Sequence, residues 1–363
     1  MKKTIFLLIL SFLAVSCHEE VVLPVGDDEP VGVMNAQLST LDPSHAVFLS
    51  ISQKSRVHAF PGAVVRVFVN GVQAAVAEEM PASYEGEWET AYMFDAEFQP
   101  GDEVRIEARG GEISLSATVT VPPAVTISSV DTSTVRMTYM GDTDTYLQAK
   151  MVFNDLPGKS FYRVEGRVVD DFQYLDEEDN PVPGYSGTAE ASLWLETGFD
   201  PIISEGAGKT GGSDLGALLA AENSYHCFSD DPFSNEECTL RPLLYSDGFR
   251  LLEYLYGTYI PDWMGKDIDW EDIDWEDLHS KKQMISRRAA IQLRSLDFPQ
   301  YHYLKSLEIL ETFGTEMSFL VEPTTLPTNV EGGLGFVGVE TVSEFTFYEC
   351  TKVYPPLNDM VYY

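Results

Sequence analysis

The stretch DEVRIEARGGEISLSATVTVPP, Asp102 to Pro123, says most about what this chain folds into. Val104, Ile106 and Ala108 alternate with Glu103, Arg105 and Glu107. Gly110-Gly111 lets the chain reverse, and Ile113, Leu115, Ala117, Val119 and Val121 then alternate with Ser and Thr. Successive side chains of an extended strand point to opposite faces, so the pattern predicts two paired strands with one apolar and one wet face, half of a β-sandwich. Pro122-Pro123 cannot donate to a ladder and ends the second strand. Ala46–Gln53 reads as a further strand, and Ala63–Val76 as a hairpin turned by Asn70-Gly71. Residues 32–123 therefore read as an immunoglobulin-like sandwich.

The remainder, 124–363, reads as a larger antiparallel β domain with one or two helices. TYLQAKMVFND, KSFYRVEGRVVDDF, RAAIQLRSL and the glycine-kinked VEGGLGFVGVETVSEFTFY are expected strands. DLGALLAAEN is expected as a short helix. FPQYHYLKSLEILETFG is the clearest helix, with Pro299 at its start, Gly314 at its end, and Tyr303, Leu307 and Leu310 along one face. The whole chain is thus expected to be mainly β.

The N-terminus carries different information. Lys2 and Lys3 precede a short apolar run from Thr4 to Val15, an export signal over 1–16 that is too short to span a bilayer. Ala14-Val15-Ser16-Cys17 resembles a bacterial lipobox, although such a box usually has Leu where Ala14 stands. Acylation at Cys17 would add about 0.8 kcal/mol per buried CH₂, so several chains hold a protein at a membrane. The sequence predicts lipidation at Cys17 and an acidic tether over 17–31. The net charge of −35 repels phosphate backbones, which excludes nucleic acid as a partner and fits a soluble exported surface. Outside the cytoplasm disulfides persist, and Cys227 and Cys238 enclose a short polar loop, CFSDDPFSNEEC, expected to be closed by one. Cys350 is expected buried and unpaired.

Catalytic signatures fail on inspection. EGAGKTGG at Glu205–Gly212 imitates a phosphate loop, but Ile203 stands where the first glycine belongs. GYSGT at Gly184–Thr188 ends in Thr188 where a nucleophile elbow has glycine. His226 adjoins Cys227, but no close cysteine pair or second histidine completes a metal set. No metal or cofactor is expected, and the chain reads as non-enzymatic; a hydrolase would need His226 or His302 to meet a serine and a carboxylate in space. The most unusual segment is DWMGKDIDWEDIDWEDLHSKK, Asp262–Lys282, with a tandem repeat of Asp-Ile-Asp-Trp-Glu. Trp263, Trp270 and Trp275 with Asp269 and Asp274 could cage a cation, an amine or a sugar. A shift of five residues sends the two copies to different faces of a helix or strand, so repeat slippage in a surface insertion near 250–282 is the preferred reading over a binding loop. Lys281, Lys282, Arg287 and Arg288 would suit one end of a surface helix there.

In order along the chain, the lipobox, ATVTVPPAVTISSV, NDLPGKSFYRV, CFSDDPF, IQLRSLDFPQYHYLKSLE and TNVEGGLGFVGV resemble the domain of unknown function 4249 family of Bacteroidota lipoproteins. The last motif, with Asn329, Gly332, Gly333, Leu334, Gly335, Phe336 and Gly338, is the most specific; Val337 interrupts an aromatic-glycine pair usual in the family. The resemblance implies an outer-membrane lipoprotein, found beside TonB-dependent receptors, acting as a binding or accessory component in nutrient capture. It brings no catalytic residues. His18-Glu19-Glu20 resembles the acidic signal that sends such lipoproteins to the cell surface. An adhesion or envelope-assembly role without a small-molecule ligand is the alternative.

Overall fold

A computed structural model describes residues 29–53, 56–80, 88–139, 142–175, 180–205, 223–245, 282–313 and 326–350. The chain is mainly β. Its first strands are β1 (Val31–Ser39), β2 (Ser44–Gln53), β3 (Arg56–Ala59), β4 (Val64–Val69), β5 (Val72–Val76), β6 (Glu78–Glu79), β7 (Thr90–Asp95), β8 (Glu103–Gly110) and β9 (Ile113–Thr120). After Pro122-Pro123 come β10 (Ile127–Tyr139), β11 (Asp142–Asn154), β12 (Phe161–Leu175), β13 (Pro181–Leu193), β14 (Leu195–Glu196), β15 (Cys227–Ser229), β16 (Glu237–Leu240) and β17 (Leu243–Tyr245). The chain then forms β18 (Lys282–Leu296), helix α1 (Phe298–Phe313) and β19 (Val337–Cys350).

Two sandwiches result, and they share one sheet. That sheet runs β13-β12-β18-β19-β1-β2-β7-β6. Its β1-β2-β7 end faces the sheet β5-β4-β8-β9, enclosing Met34, Leu38, Leu49 and Phe94 against Val67, Ile106, Leu115 and Val119. Its β12-β18 end faces β10-β11-β17-β14, enclosing Val164, Val168, Ile291 and Leu293 against Met151, Phe153, Leu240 and Leu244. The alternation read between Asp102 and Pro123 is realised: Val104, Ile106 and Ala108 are fully buried, and β8 pairs with β9 in unbroken register. Asn70 and Gly71 both adopt positive φ, +52° and +77°, as the hairpin turn requires.

Strand β19 belongs to both cores. Val337 and Val339 pack in the first, whereas Phe345 and Phe347 pack against the second. Its C-terminal half pairs antiparallel with β18, and its first residues pair parallel with β1, Ala36 opposite Val337 through Ser39 opposite Glu340. This is the one parallel strand pair among the described residues, so the antiparallel expectation holds everywhere except at the join. The parallel ladder begins before β19: Leu334 N–H donates to Gly32 O, Met34 N–H to Leu334 O and Ala36 N–H to Phe336 O, at 2.9–3.0 Å. The glycines of the TNVEGGLGFVGV segment make this approach possible. A Cβ at Gly333 would lie 2.2 Å from Gly32 O, and one at Gly335, where φ is +110°, 2.2 Å from Met34 O. Asn329 locks the entry from the side, its amide both accepting from Val337 N–H (2.9 Å) and donating to Val337 O (2.7 Å).

Helix α1 forms where the sequence places it, but a different face is buried. Asp297 caps it, its Oδ1 accepting from Gln300 N–H at 2.8 Å. Gln300, Leu304 and Glu308 point inward, with Tyr303 and Leu307 half-buried and Leu310 exposed. The reason is the charged sheet surface beneath the helix, which rewards polar side chains as well as apolar ones. Arg287 also departs from the expected surface helix: it lies on β18, faces the second core, and holds buried Asp170 with two bonds of 2.8–2.9 Å. The DLGALLAAEN segment, Asn223 apart, lies outside the described residues.

Replacing Gly335 by alanine should cost more than about 3 kcal/mol, because both the +110° φ and the carbonyl of Met34 oppose a side chain. Equilibrium urea unfolding of Gly335→Ala beside Gly62→Ala checks this. Gly62 also has positive φ, but open space where its Cβ would go, and only the first variant should lose that much.

Candidate binding site

The period of two along β12 divides its side chains between two environments. Tyr162, Val164 and Val168 enter the core, while Arg163, Glu165 and Arg167 stand on the opposite face of the sheet. There they meet β18 and β19 neighbours in a continuous ion-pair ladder. Glu340 Oε1 is 3.1 Å from Arg163 Nη1, Glu340 Oε2 is 2.7 Å from Arg294 Nη1, and Glu165 Oε2 is 2.7 Å from Arg294 Nη2. Gln292 donates to Glu344 at 2.8 Å, and Arg167 bridges Glu344 and Glu190. Burial opposes the Arg163 charge, but Glu340 and Glu165 outweigh it and hold the guanidinium protonated. A cleft of about 350 Å³ opens beside Arg167, Glu190 and Arg294. Its cations are already matched by carboxylates, so it reads as a solvated part of the ladder.

Helix α1 crosses one end of this ladder. Gln300 Nε2 donates to Glu340 Oε1 (3.1 Å) and Gln37 Oε1 (3.0 Å), joining helix, β19 and β1. Tyr303 stacks on Phe336 with centroids 4.4 Å apart. Tyr301 Oη donates to Glu205 at 2.8 Å, and Lys305 Nζ lies 3.2 Å from the other oxygen of that carboxylate.

At the N-terminus of α1 the two sandwiches leave a larger cleft of about 650 Å³. Three distant segments build it. Pro122 and Pro123 come from the end of β9, Lys159 and Phe161 from the start of β12, and Leu296 and Phe298 from the passage of β18 into α1. Phe161 anchors the wall, stacked on Tyr301 at 4.7 Å and tilted against Phe298 at 5.4 Å. Phe298 itself is 58% exposed, a large apolar ring held at the mouth. Lys159 Nζ sits 5.3 Å from the Phe161 centroid and pairs with Asp230 (2.8 Å) and Asp231 (2.5 Å). Asp297 also lines the cleft. Burial pushes its carboxyl up, and one of its oxygens is committed to the helix cap. An apolar floor with few polar groups, at a junction between units, is the usual form of a small-ligand site.

A family model for a domain of unknown function, DUF4249, matches residues 18–346. The chain belongs to that family. No curated protein matches it. The segments on which the resemblance rests converge in the structure: VPP, GKSF and SLDF line the junction cleft, CFSDDPF supplies Asp230 and Asp231 to Lys159, and TNVEGGLGF joins β1 to β19.

The other sequence candidates fall elsewhere. Cys17, Trp263, Trp270, Trp275, Asp269 and Asp274 lie outside the described residues. The expected disulfide is absent. Cys227 and Cys238 are free and buried, because β15 pairs with β12 in the shared sheet while β16 pairs with β11 in the opposite one, which places the thiols in different apolar clusters. Burial pushes the Cys227 thiol up, and that of Cys238 up to about 12, so both stay protonated. GYSGT lies inside β13, with Ser186 opposite Gln173, and makes no elbow. His226 Nδ1 is 3.2 Å from Val164 O, a backbone partner, and His302 is exposed on α1. Among the described residues no group of three His, Cys, Asp or Glu side chains could hold a metal. Sequence reasoning missed the cleft. The available signal was the pairing of aromatics with turn residues in GKSF and SLDF.

Desolvation, with Arg163 nearby, lowers the His226 pKa from 6.5 to about 4. The folded state thus favours the neutral ring. Its contribution to stability is fully present above about pH 6.5 and is lost as the pH falls towards 4, by on the order of 1–3 kcal/mol. Asp297 and Glu308, whose carboxyls burial pushes up, act in the opposite direction. In urea melts between pH 7 and 4, His226→Gln should show a shallower fall in stability than the parent chain. Parallel curves would contradict the assignment.

Proposed function

We propose that this chain is an outer-membrane lipoprotein, anchored through Cys17 and facing the cell surface. In this reading it binds a ligand without chemical turnover and serves a TonB-dependent receptor in nutrient capture. The observation that carries the binding role is the junction cleft, with its aromatic wall, its exposed Phe298 and its single lysine. The lipobox and the acidic His18-Glu19-Glu20 support the anchor and the export.

The path of β1 supports this arrangement. The chain enters the first sandwich at Val31 and runs to Ser39, whose partner Glu340 precedes Thr341, a donor to Pro122 O at the cleft. Nine strand residues cover about 30 Å. A tether from Cys17 therefore joins the end of the first sandwich remote from the cleft, and that sandwich acts as a spacer holding the cleft off the membrane.

Wild-type protein should fractionate with the outer membrane, carry acyl chains on Cys17 by mass spectrometry, and yield peptides between Ala63 and Phe347 when intact cells are treated with protease. Cys17→Ser should leave the membrane fraction. Cross-linking on intact cells should recover a TonB-dependent receptor. Peptide release only after lysis would move the protein to the periplasm. Normal growth of a deletion strain on every nutrient, with altered attachment, would favour the adhesion role instead.

A further inference from the structure

We propose that the junction cleft seats an aromatic ring of one or two fused cycles that carries a carboxylate or a similarly compact anion. The inference rests on the reading of this cleft as the ligand seat and names the chemistry it selects.

The ring preference follows from the wall. Phe161 is already held on one side by Tyr301, and Phe298 projects with more than half of its surface in water. A flat ring entering between Phe298 and the proline pair would cover that surface and gain offset or edge contacts, each worth about 0.5–1.5 kcal/mol beyond simple burial. A volume of about 650 Å³ suits such a group and leaves no room for a folded domain.

The charge preference follows from Lys159, the one cation that lines the cleft. Its two partners are not equivalent. Asp230 is completely buried and tied down, accepting from Ser160 N–H at 2.9 Å, so it stays with Lys159. Asp231 accepts from Ser229 Oγ at 2.9 Å, but its side chain is 78% exposed, and exposed ion pairs contribute little. An incoming carboxylate can displace Asp231, keep the ammonium paired, and exchange a screened partner for one sheltered by Phe161. A cationic ligand meets the Lys159 ammonium at the same wall, and Asp297 is left with one oxygen outside the helix cap and a carboxyl that burial pushes up. The overall charge of −35 does repel anions at long range. Beyond roughly 10 Å that field is screened at moderate salt, so the local arrangement decides.

Three probes with the same ring separate these effects: 2-naphthoate, 2-naphthalenemethanol and 2-naphthylmethylammonium. They are titrated calorimetrically into the full chain in detergent, with empty micelles subtracted. One 2-naphthoate should bind per chain, at least tenfold more tightly than the alcohol, and the ammonium should bind more weakly still. Phe298→Ala removes a mostly exposed ring and should weaken naphthoate at least tenfold with only a small fall in melting temperature from its lost contact with Phe161. Asp231→Asn removes one of the two carboxylates on Lys159, leaves Asp230 in place, and should tighten naphthoate binding severalfold, a gain that a purely structural role for Asp231 does not produce. Equal affinity for the three probes, tightest binding of the ammonium, or indifference to Phe298→Ala overturns the proposal. A chain that is anchored and surface-exposed but takes no probe loses this ligand class while keeping the lipoprotein reading. A chain that binds naphthoate but proves periplasmic does the reverse.

Discussion

Four residues of β1, Ala36 to Ser39, run parallel to Val337–Glu340 of β19, and this pairing joins the first described strand to the last. A parallel pair needs a long connection, and here nearly the whole described chain is that connection. The backbones meet closely at Gly32 and Met34, and the residues facing their carbonyls, Gly333 and Gly335, have no Cβ. Because β19 continues from the first core into the second, the pairing also sets how the two sandwiches lie against each other. The position of Pro122 relative to Phe161 and Leu296, and with it the cleft, follows from that.

The charged face of the shared sheet is the second determinant. Arg163, Glu165, Arg294 and Glu340 neutralise one another across three strands, so the surface can be covered without leaving a bare charge. Helix α1 covers one end of it with Gln300, while Tyr301 and Lys305 hold Glu205 and apolar Leu304 settles beside Cys227, Leu296 and Phe161. The helix start is thereby pinned next to the junction. Phe298 projects at the cleft mouth as the first residue of a helix whose register its buried face dictates.

Much of the architecture was legible because strand patterns are local. The alternation at Val104–Ala108, the Asn70-Gly71 turn and the span of α1 all follow from neighbouring residues. What the chain does at long range was not. Nothing near Ser39 announces a partner three hundred positions away, and TNVEGGLGFVGV shows its purpose only once Gly32 and Met34 lie opposite it. The buried face of α1 differs from the expected one because apolar spacing picks Leu310, whereas Gln300 reaches Glu340 of the ladder and Glu308 is buried beside Lys305 of its own helix. The spacing of Cys227 and Cys238 suggested a bridge, but sequence distance carries no information about which sheet each strand joins. The cleft was invisible for the same reason: its three walls lie about forty and one hundred and forty residues apart.

Native-state hydrogen exchange of the β1 and β19 amides tests the central claim most directly. If the β1–β19 pairing unites the sandwiches, then Met34 and Ala36, Ile106 of the first core, and Ile291 and Leu293 of the second should exchange with one common opening free energy. Their rates should respond together to small additions of urea. Two separate opening free energies, one for Ile106 and another for Ile291, with Ala36 exchanging faster than either, would contradict it.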